Sequence, residues 1–420
     1  MPPEKVAQHQ RARLEGAMVE AVARHGFAGT TLRELVTLAG VSKTTFYEHF
    51  DSKQDCFLAT FDEIIAQATE RVSAAFRQPG DFRERLLAGL AAFMDLTAEE
   101  PGAASLVAVE SLTLGAAGVA HREEGSAAFE VMIRQSFDHS PSKLEVSDLL
   151  VRAIVGGIRG VVYRRLRTGR AEELPALTEE LVDWALRYQR KPSPAMRAAA
   201  AAAARGTDAV EPDEDEEERV PWDEPPDSRR SRSELSQRER IVRAAARVVV
   251  ERGYEALSIP AISAAAGVSN QTFYEHFDSK RAAFLAAFEI HAADALRFAA
   301  AAYVAAGDSP AAIGAGMRAL IDYVIEHELF AKLAFFELPT AGPVALDKAD
   351  DTLDAFVAYL RPEIAPRGIG GPVSDVVLEA IATGTWAVLQ HEIAHGRRAE
   401  LAEVAPQLTE IALAPFNAPA

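Results

Sequence analysis

The sequence predicts an all-α protein made of two tandem units, and three observations carry that expectation. Alternation of apolar and polar residues, the mark of a half-buried strand, is rare, while apolar residues recur at helical spacing along most of the chain. The stretch TTFYEHFDSK at 44–53 returns as QTFYEHFDSK at 271–280, with nine of ten positions identical. The match runs without a gap at an offset of 227 residues, pairing Gly26 with Gly253 and Gly40 with Gly267 and, much farther on, Glu110 with Glu337, Ile154 with Ile381, Gly157 with Gly384 and Gly169 with Gly396. A period of this length is no solenoid repeat, so each copy is expected to own a hydrophobic core.

The elements of each copy can be read in order. Leu14, Ala17, Met18, Ala21 and Val22 share one helix face, stopped by Gly26; Ile241, Ala244, Ala245, Val248 and Val249 do the same, stopped by Gly253. Ser236 with Glu239 forms a capping box that opens the second copy's first helix. Thr31 with Glu34 is a capping box for a short helix with Leu32, Leu35, Val36 and Ala39 inward. Ser258 takes the capping place in the second copy, where Pro260 falls harmlessly in the first turn. Gly40 and Gly267 end these helices, and Ser42 and Ser269 cap a third at once. That third helix, from Lys43 to His49, turns Phe46 and Phe50 inward and leaves Lys43, Thr44, Tyr47 and the edge of Thr45 outside. Two short helices across a glycine turn make a helix-turn-helix, and a polar helix pinned from behind by two phenylalanines suits a DNA major groove.

A net charge of −18 argues against a nucleic-acid partner until it is mapped. Eleven acids and one arginine lie between Asp208 and Asp227, over half of the excess in one short segment. Residues 1–53 hold seven Lys/Arg against six Asp/Glu, and residues 229–280 nine against six, so both repeated regions are mildly basic. Between the copies, residues 191–232 read as a linker: an alanine run able to extend a helix, then an acidic, proline-punctuated stretch too polar to bury a core. Trp222 within it is either a docking anchor or a stray aromatic. Arg229, Arg230 and Arg232 are either a minor-groove arm or a solvated basic end. No run of apolar residues is long enough to span a bilayer, the start carries no secretory signal, and the single cysteine, Cys56, excludes an internal disulfide. A cytoplasmic, nucleoid-associated protein is expected.

The segments TTLRELVTLAGVSKTTFYEHFDSKQDCFLATF and LSIPAISAAAGVSNQTFYEHFDSKRAAFLAAF resemble the DNA-binding segment of the tetracycline-repressor (TetR/AcrR) family of bacterial regulators. The resemblance implies, in each unit, a helix-turn-helix three-helix bundle followed by a variable helical domain for ligand sensing and dimerisation. It divides the chain into heads at 1–54 and 233–281, helical regulatory domains at 55–190 and 282–416, and the linker at 191–232. It implies double-stranded DNA as partner and a small-molecule effector, with no cofactor, metal or catalytic residue. By the same resemblance Ser42, Lys43, Thr44 and Thr45 read bases in the first copy while Tyr47, His49 and Lys53 position phosphates, with Thr31 donating from a helix start. In the second copy the readers are Ser269, Asn270, Gln271 and Thr272, with Tyr274, His276, Lys280 and Ser258 in the other places. Lysine favours guanine or phosphate and Asn and Gln suit the adenine edge, so the half-sites are expected to differ, the second being richer in adenine.

Fusion suggests an intramolecular pseudo-dimer, with small residues in AIVGGIRGVV and AIATGTWAVL permitting close helix approach, and a repressor on an asymmetric operator. Aromatics expected to line an effector pocket are Phe93, Tyr323, Phe335, Phe336 and Trp386, each equally readable as plain core. Two alternatives belong to other classes. One is a DNA-anchored interaction protein whose acidic linker recruits partners. The other is a zinc hydrolase, since His391-Glu392-Ile-Ala-His395 fits the H-E-x-x-H pattern. That pattern lacks the H-x-x-G-x-x-H extension, and basic residues before Gly396 are ordinary at a helix C-terminus.

Overall fold

The computed structural model describes residues 2–138, 146–205, 222, 224–307, 310–364 and 373–416. Among them there is no strand. The chain divides into two units, Met1–Gln189 and Arg190–Ala420.

The first unit runs α1 (Pro3–Gly29), α2 (Leu32–Ala39), α3 (Lys43–His49), α4 (Lys53–Phe76), α5 (Phe82–Glu99), α6 (Pro101–Ala108), a 3-10 turn (Glu110–Leu114), α7 (Gly115–Asp138), α8 (Asp148–Arg167) and α9 (Thr178–Arg187). The expected inward face of α1 is buried: Leu14, Met18 and Ala21 are sealed against Leu35, Phe46, Phe50, Phe57 and Phe61. Gly26 interrupts α1 at φ +66°, a left-handed conformation that costs glycine nothing. Gly40 closes α2 in the same region at φ +59°. The α4 helix belongs half to the head and half to the body, packing on α1, α5, α6 and α7.

The second unit opens with α10 (Pro194–Ala204), the alanine run of the expected linker. It is a packed element. Met196, Ala199 and Ala203 are buried, and α10 lies against α16 (Ala311–Glu326) and α20 (Leu401–Leu413), with Arg318 donating to the Ala203 carbonyl at 3.1 Å. The approach is so close that a Cβ on Gly314 would sit 1.8 Å from the Ala199 carbonyl oxygen. Next come α11 (Arg229–Glu234), α12 (Gln237–Arg252), α13 (Ile259–Ala266), α14 (Asn270–His276) and α15 (Lys280–Ala305); α16 then leads to α17 (Glu328–Lys332), α18 (Pro343–Ile364), α19 (Asp375–Ala394) and α20. Arg229, Arg230 and Arg232 stand on α11, capped by Ser228, with Arg230 paired to Glu234; they are helical and exposed, so no extended arm is formed. No helix of the described residues is long and apolar enough to cross a membrane.

Candidate nucleic-acid interface and effector cavity

The two heads are built alike, side chain by side chain. Thr31 and Ser258 cap α2 and α13, accepting from the N–H of Glu34 and Ala261 at 3.2 and 3.3 Å. Ser42 and Ser269 cap α3 and α14 from the N–H of Thr45 and Thr272 at 2.9 and 3.0 Å, and each hydroxyl also engages that threonine's hydroxyl. The caps matter because a seven-residue helix cannot stand alone. Phe46 and Phe273 are fully buried beneath. On the other side Lys43, Thr44, Asn270 and Gln271 are exposed, and Tyr47 and Tyr274 keep 52% and 59% of their surface open. For large aromatics next to a well-filled core, that exposure marks a surface kept for something else.

Not all expected DNA contacts face outward. Lys53 donates to the Phe27 and Thr30 carbonyls at 2.8 and 2.9 Å and lies over the Phe27 ring; Lys280 donates to the Leu257 carbonyl at 2.7 Å and lies over Tyr254. These lysines tie the start of α4 and α15 to the link between the first and second helices of each head. His49 is half-buried, 3.4 Å from the Gln10 side chain, whereas His276 is exposed.

Two residue pairs with structural weight escaped the sequence reading. Arg13 and Arg240 reach from the first helix of each head to the C-terminus of the second, donating to the carbonyls of Gly40 and Ala266 at 3.3 and 3.1 Å. Glu110 and Glu337, far along the body, return to the head: each carboxylate accepts from the backbone N–H just after the glycine kink, Phe27 at 2.7 Å and Tyr254 at 3.0 Å. Burial pushes both carboxyls above the usual carboxylate range, and the backbone donor partly offsets it. Their shared offset was visible in the sequence; only the fold shows what they hold.

Beneath the first head lies a cavity of about 510 Å³ enclosed by α1 and α4 through α9. Its wall is mainly apolar, with Phe61, Leu90, Phe93, Phe129 and Val107 among its residues. Arg122 and Arg159 also line it. Arg159 donates to the Ser126 hydroxyl at 2.8 Å, and the buried Nε of Arg122 has no hydrogen-bond partner. Neither guanidinium has a carboxylate within ion-pair distance among the described residues. Burial lowers the proton affinity of both, and their mutual repulsion lowers Arg122's further. Glu15, Glu63 and Glu100 line the end of the chamber nearer α1, α4 and the start of α6, and the two half-buried cations on α7 and α8 suit an anionic group attached to a long apolar body.

Of the expected pocket aromatics, Phe93 lines this cavity. The other four belong to the second unit. Tyr323 is buried and bonded to His291 at 2.8 Å, Phe335 stacks on Trp386 at 4.1 Å, and Phe336 is half-buried. None of the four lines the second unit's cavity of about 210 Å³. In the HEIAH stretch, Glu392 is buried and bidentate to Arg397 at 2.7 and 3.0 Å, and His395 Nδ1 lies 2.9 Å from the His391 carbonyl. Glu392 thus closes the end of α19 rather than facing water as a general base. Burial pushes the Cys56 thiol up to about 12, so it is an inert packing group.

Two three-helix heads of helix-turn-helix form, each carried on its own helical body, define the class of protein. The family model for bacterial regulatory proteins of the tetR family matches residues 16–60 and again 241–287. The chain thus carries two tetR-family domains in tandem, one in each unit. It is 34% identical over 86 residues to the HTH-type transcriptional activator FasR of Mycolicibacterium smegmatis, covering 20% of this chain and 39% of FasR. It is 26% identical over 94 residues to the fatty acid metabolism regulator protein of Bacillus subtilis, covering 22% of this chain and 48% of that protein. The chain thus spans less than half the length of these curated relatives. Among solved structures, that of the transcriptional regulator FadR from Bacillus subtilis in complex with stearoyl-CoA aligns with 41% of this chain and 96% of its own, at 18% identity and a TM-score of 0.39.

Proposed function

We propose that this protein is a ligand-responsive DNA-binding transcriptional repressor that supplies both reading heads from one chain, as a pseudo-dimer on an asymmetric operator, and that its effector is a long-chain acyl anion such as an acyl-CoA. The observation that carries the proposal is the pairing, in the first unit, of an outward-facing polar reading helix with a largely apolar cavity lined by two guanidinium groups that form no ion pair among the described residues. The fatty-acid regulators among the matched relatives, and the stearoyl-CoA bound to FadR, point to the same effector chemistry.

The coupling route is short. Val107 and Ala108 line the cavity at the end of α6, and Glu110 follows two residues later with its carboxylate on the Phe27 N–H. A guest that displaces α6 therefore pulls on the last turn of α1, beyond the Gly26 kink, which leads into α2 and the reading helix. An acyl chain supplies about 0.8 kcal/mol per buried methylene, and a charged hydrogen bond adds about 1.5–3 kcal/mol. The test is DNA selection on purified protein, followed by fluorescence anisotropy on the selected duplex with and without stearoyl-CoA. We expect a non-palindromic site and release of DNA by micromolar stearoyl-CoA. A perfect palindrome would refute the asymmetric operator, and unchanged affinity across saturating stearoyl-CoA would refute the effector class.

A further inference from the structure

The 227-residue offset allows the two bodies to be compared wall by wall. It is anchored by structure as well as by sequence: Glu110 and Glu337 hold equivalent N–H groups, and Glu100 and His327 occupy the same cap position, with φ/ψ of −127°/62° and −105°/75°. In the first unit Gly16, Ile64, Leu96, Glu100 and Ala103 all line the large cavity. At the same five places the second unit has Arg243, His291, Tyr323, His327 and Phe330. Three of the exchanges, Gly16 to Arg243, Leu96 to Tyr323 and Ala103 to Phe330, add substantial bulk, and four of the five replacements carry aromatic rings. His291 is the hub: it packs against Tyr323, His327 and Phe330 and bonds the Tyr323 hydroxyl.

A fifth ring completes the cluster. Trp222 lies 4.1 Å from the His291 ring, with the Arg243 guanidinium 4.5 Å over its other neighbourhood as a cation–π partner. The second body keeps a smaller cavity at the distal end, about 210 Å³ and lined by residues that include Ile313, Gly316, Met317 and Leu320. Their counterparts Leu86, Gly89, Leu90 and Phe93 line the distal part of the first unit's cavity. The second site is thus the first with its head-proximal half filled.

We propose that the second unit is closed to effector by its own chain, with Trp222 of the inter-copy segment docked where the first unit leaves its cavity open, so that the protein takes one effector per chain and senses it through the first unit only. The stoichiometry rests on the acyl-effector reading; the docking of Trp222 does not. Of the described residues between the copies, α10 and Trp222 both pack on the second unit, and Trp222 acts there as an internal ligand.

Two measurements test this separately. In native mass spectrometry with stearoyl-CoA, wild-type protein is expected to carry one molecule per chain and the L96Y/A103F variant, which copies Tyr323 and Phe330 into the first unit, none. Two molecules on wild-type protein, or one retained by L96Y/A103F, would overturn the proposal. Docking is read without any ligand, by NMR titration of the His291 ring. Burial, then His327 and Arg243, depress its proton affinity to about 3 in the wild type. Trp222→Ala, which removes the half-buried ring packed on His291, is expected to raise that value toward the ordinary histidine range. An unchanged His291 titration would show that Trp222 does not cover the site. If no protein binds stearoyl-CoA, the effector class fails while the His291 titration still decides the docking.

Discussion

Tyr47 and Tyr274 show how a single side chain can be read two ways until its surroundings are known. Each edges onto a buried phenylalanine, with ring centroids 5.4 and 5.7 Å apart, yet both stay more than half exposed. As phosphate contacts, they should support binding evenly across sequences. Tyr47→Ala with Tyr274→Ala is expected to weaken binding to the selected duplex about tenfold, with thermal stability little changed; anisotropy and a melting curve would check both. Lys53 is a different matter: its hold on two backbone carbonyls predicts that Lys53→Ala lowers stability as well as affinity.

Glu110 makes a pH prediction at the same scale. Its folded carboxyl binds a proton more readily than the unfolded one, because burial outweighs the hydrogen bond from Phe27. The folded state therefore holds more protons between the ordinary value of 4.5 and the raised one, and stability falls as pH rises through that window. The same holds for Glu337. E110Q/E337Q is expected to flatten the stability profile from about pH 4.5 upward, measured by denaturant titration. An undiminished slope would place the titration elsewhere.

At the scale of elements, the reading helices depend on their caps and the second body on its extra helix. Ser42→Ala removes the acceptor for Thr45 N–H and should cost about 1 kcal/mol, with a larger loss in DNA affinity because a frayed seven-residue helix presents nothing to the groove. Gly314→Ala sets a methyl group on the Ala199 carbonyl, so α10 must shift away from α16. A loss of about 1–3 kcal/mol is expected from overpacking of this kind, seen as a lower melting temperature of the second unit. The head helices, their caps and their glycine stops were legible in the sequence because each is a local arrangement of a few neighbouring residues. The role of α10 was not: a run of alanines is compatible with a solvated linker helix or a packed one, and a distant glycine on α16 is what admits close approach.

At the scale of the whole molecule, the two units have the same plan and unequal chambers. The Arg122–Arg159 pair predicts a trade between stability and function. Arg159→Met relieves repulsion between two half-buried cations, so the melting temperature should hold or rise while stearoyl-CoA affinity falls about tenfold or more. A variant that loses stability and affinity together would mark Arg159 as merely structural. Repetition, helix class, the reading helix and its buried phenylalanines were determined by the sequence alone, because they rest on spacing, capping chemistry and an offset that survives divergence. Which body keeps the larger cavity, which arginines line it, and where Trp222 comes to rest were decided by the tertiary structure. Those properties arise from side chains far apart in the chain meeting across a cavity, and no local pattern records what volume is left when they do.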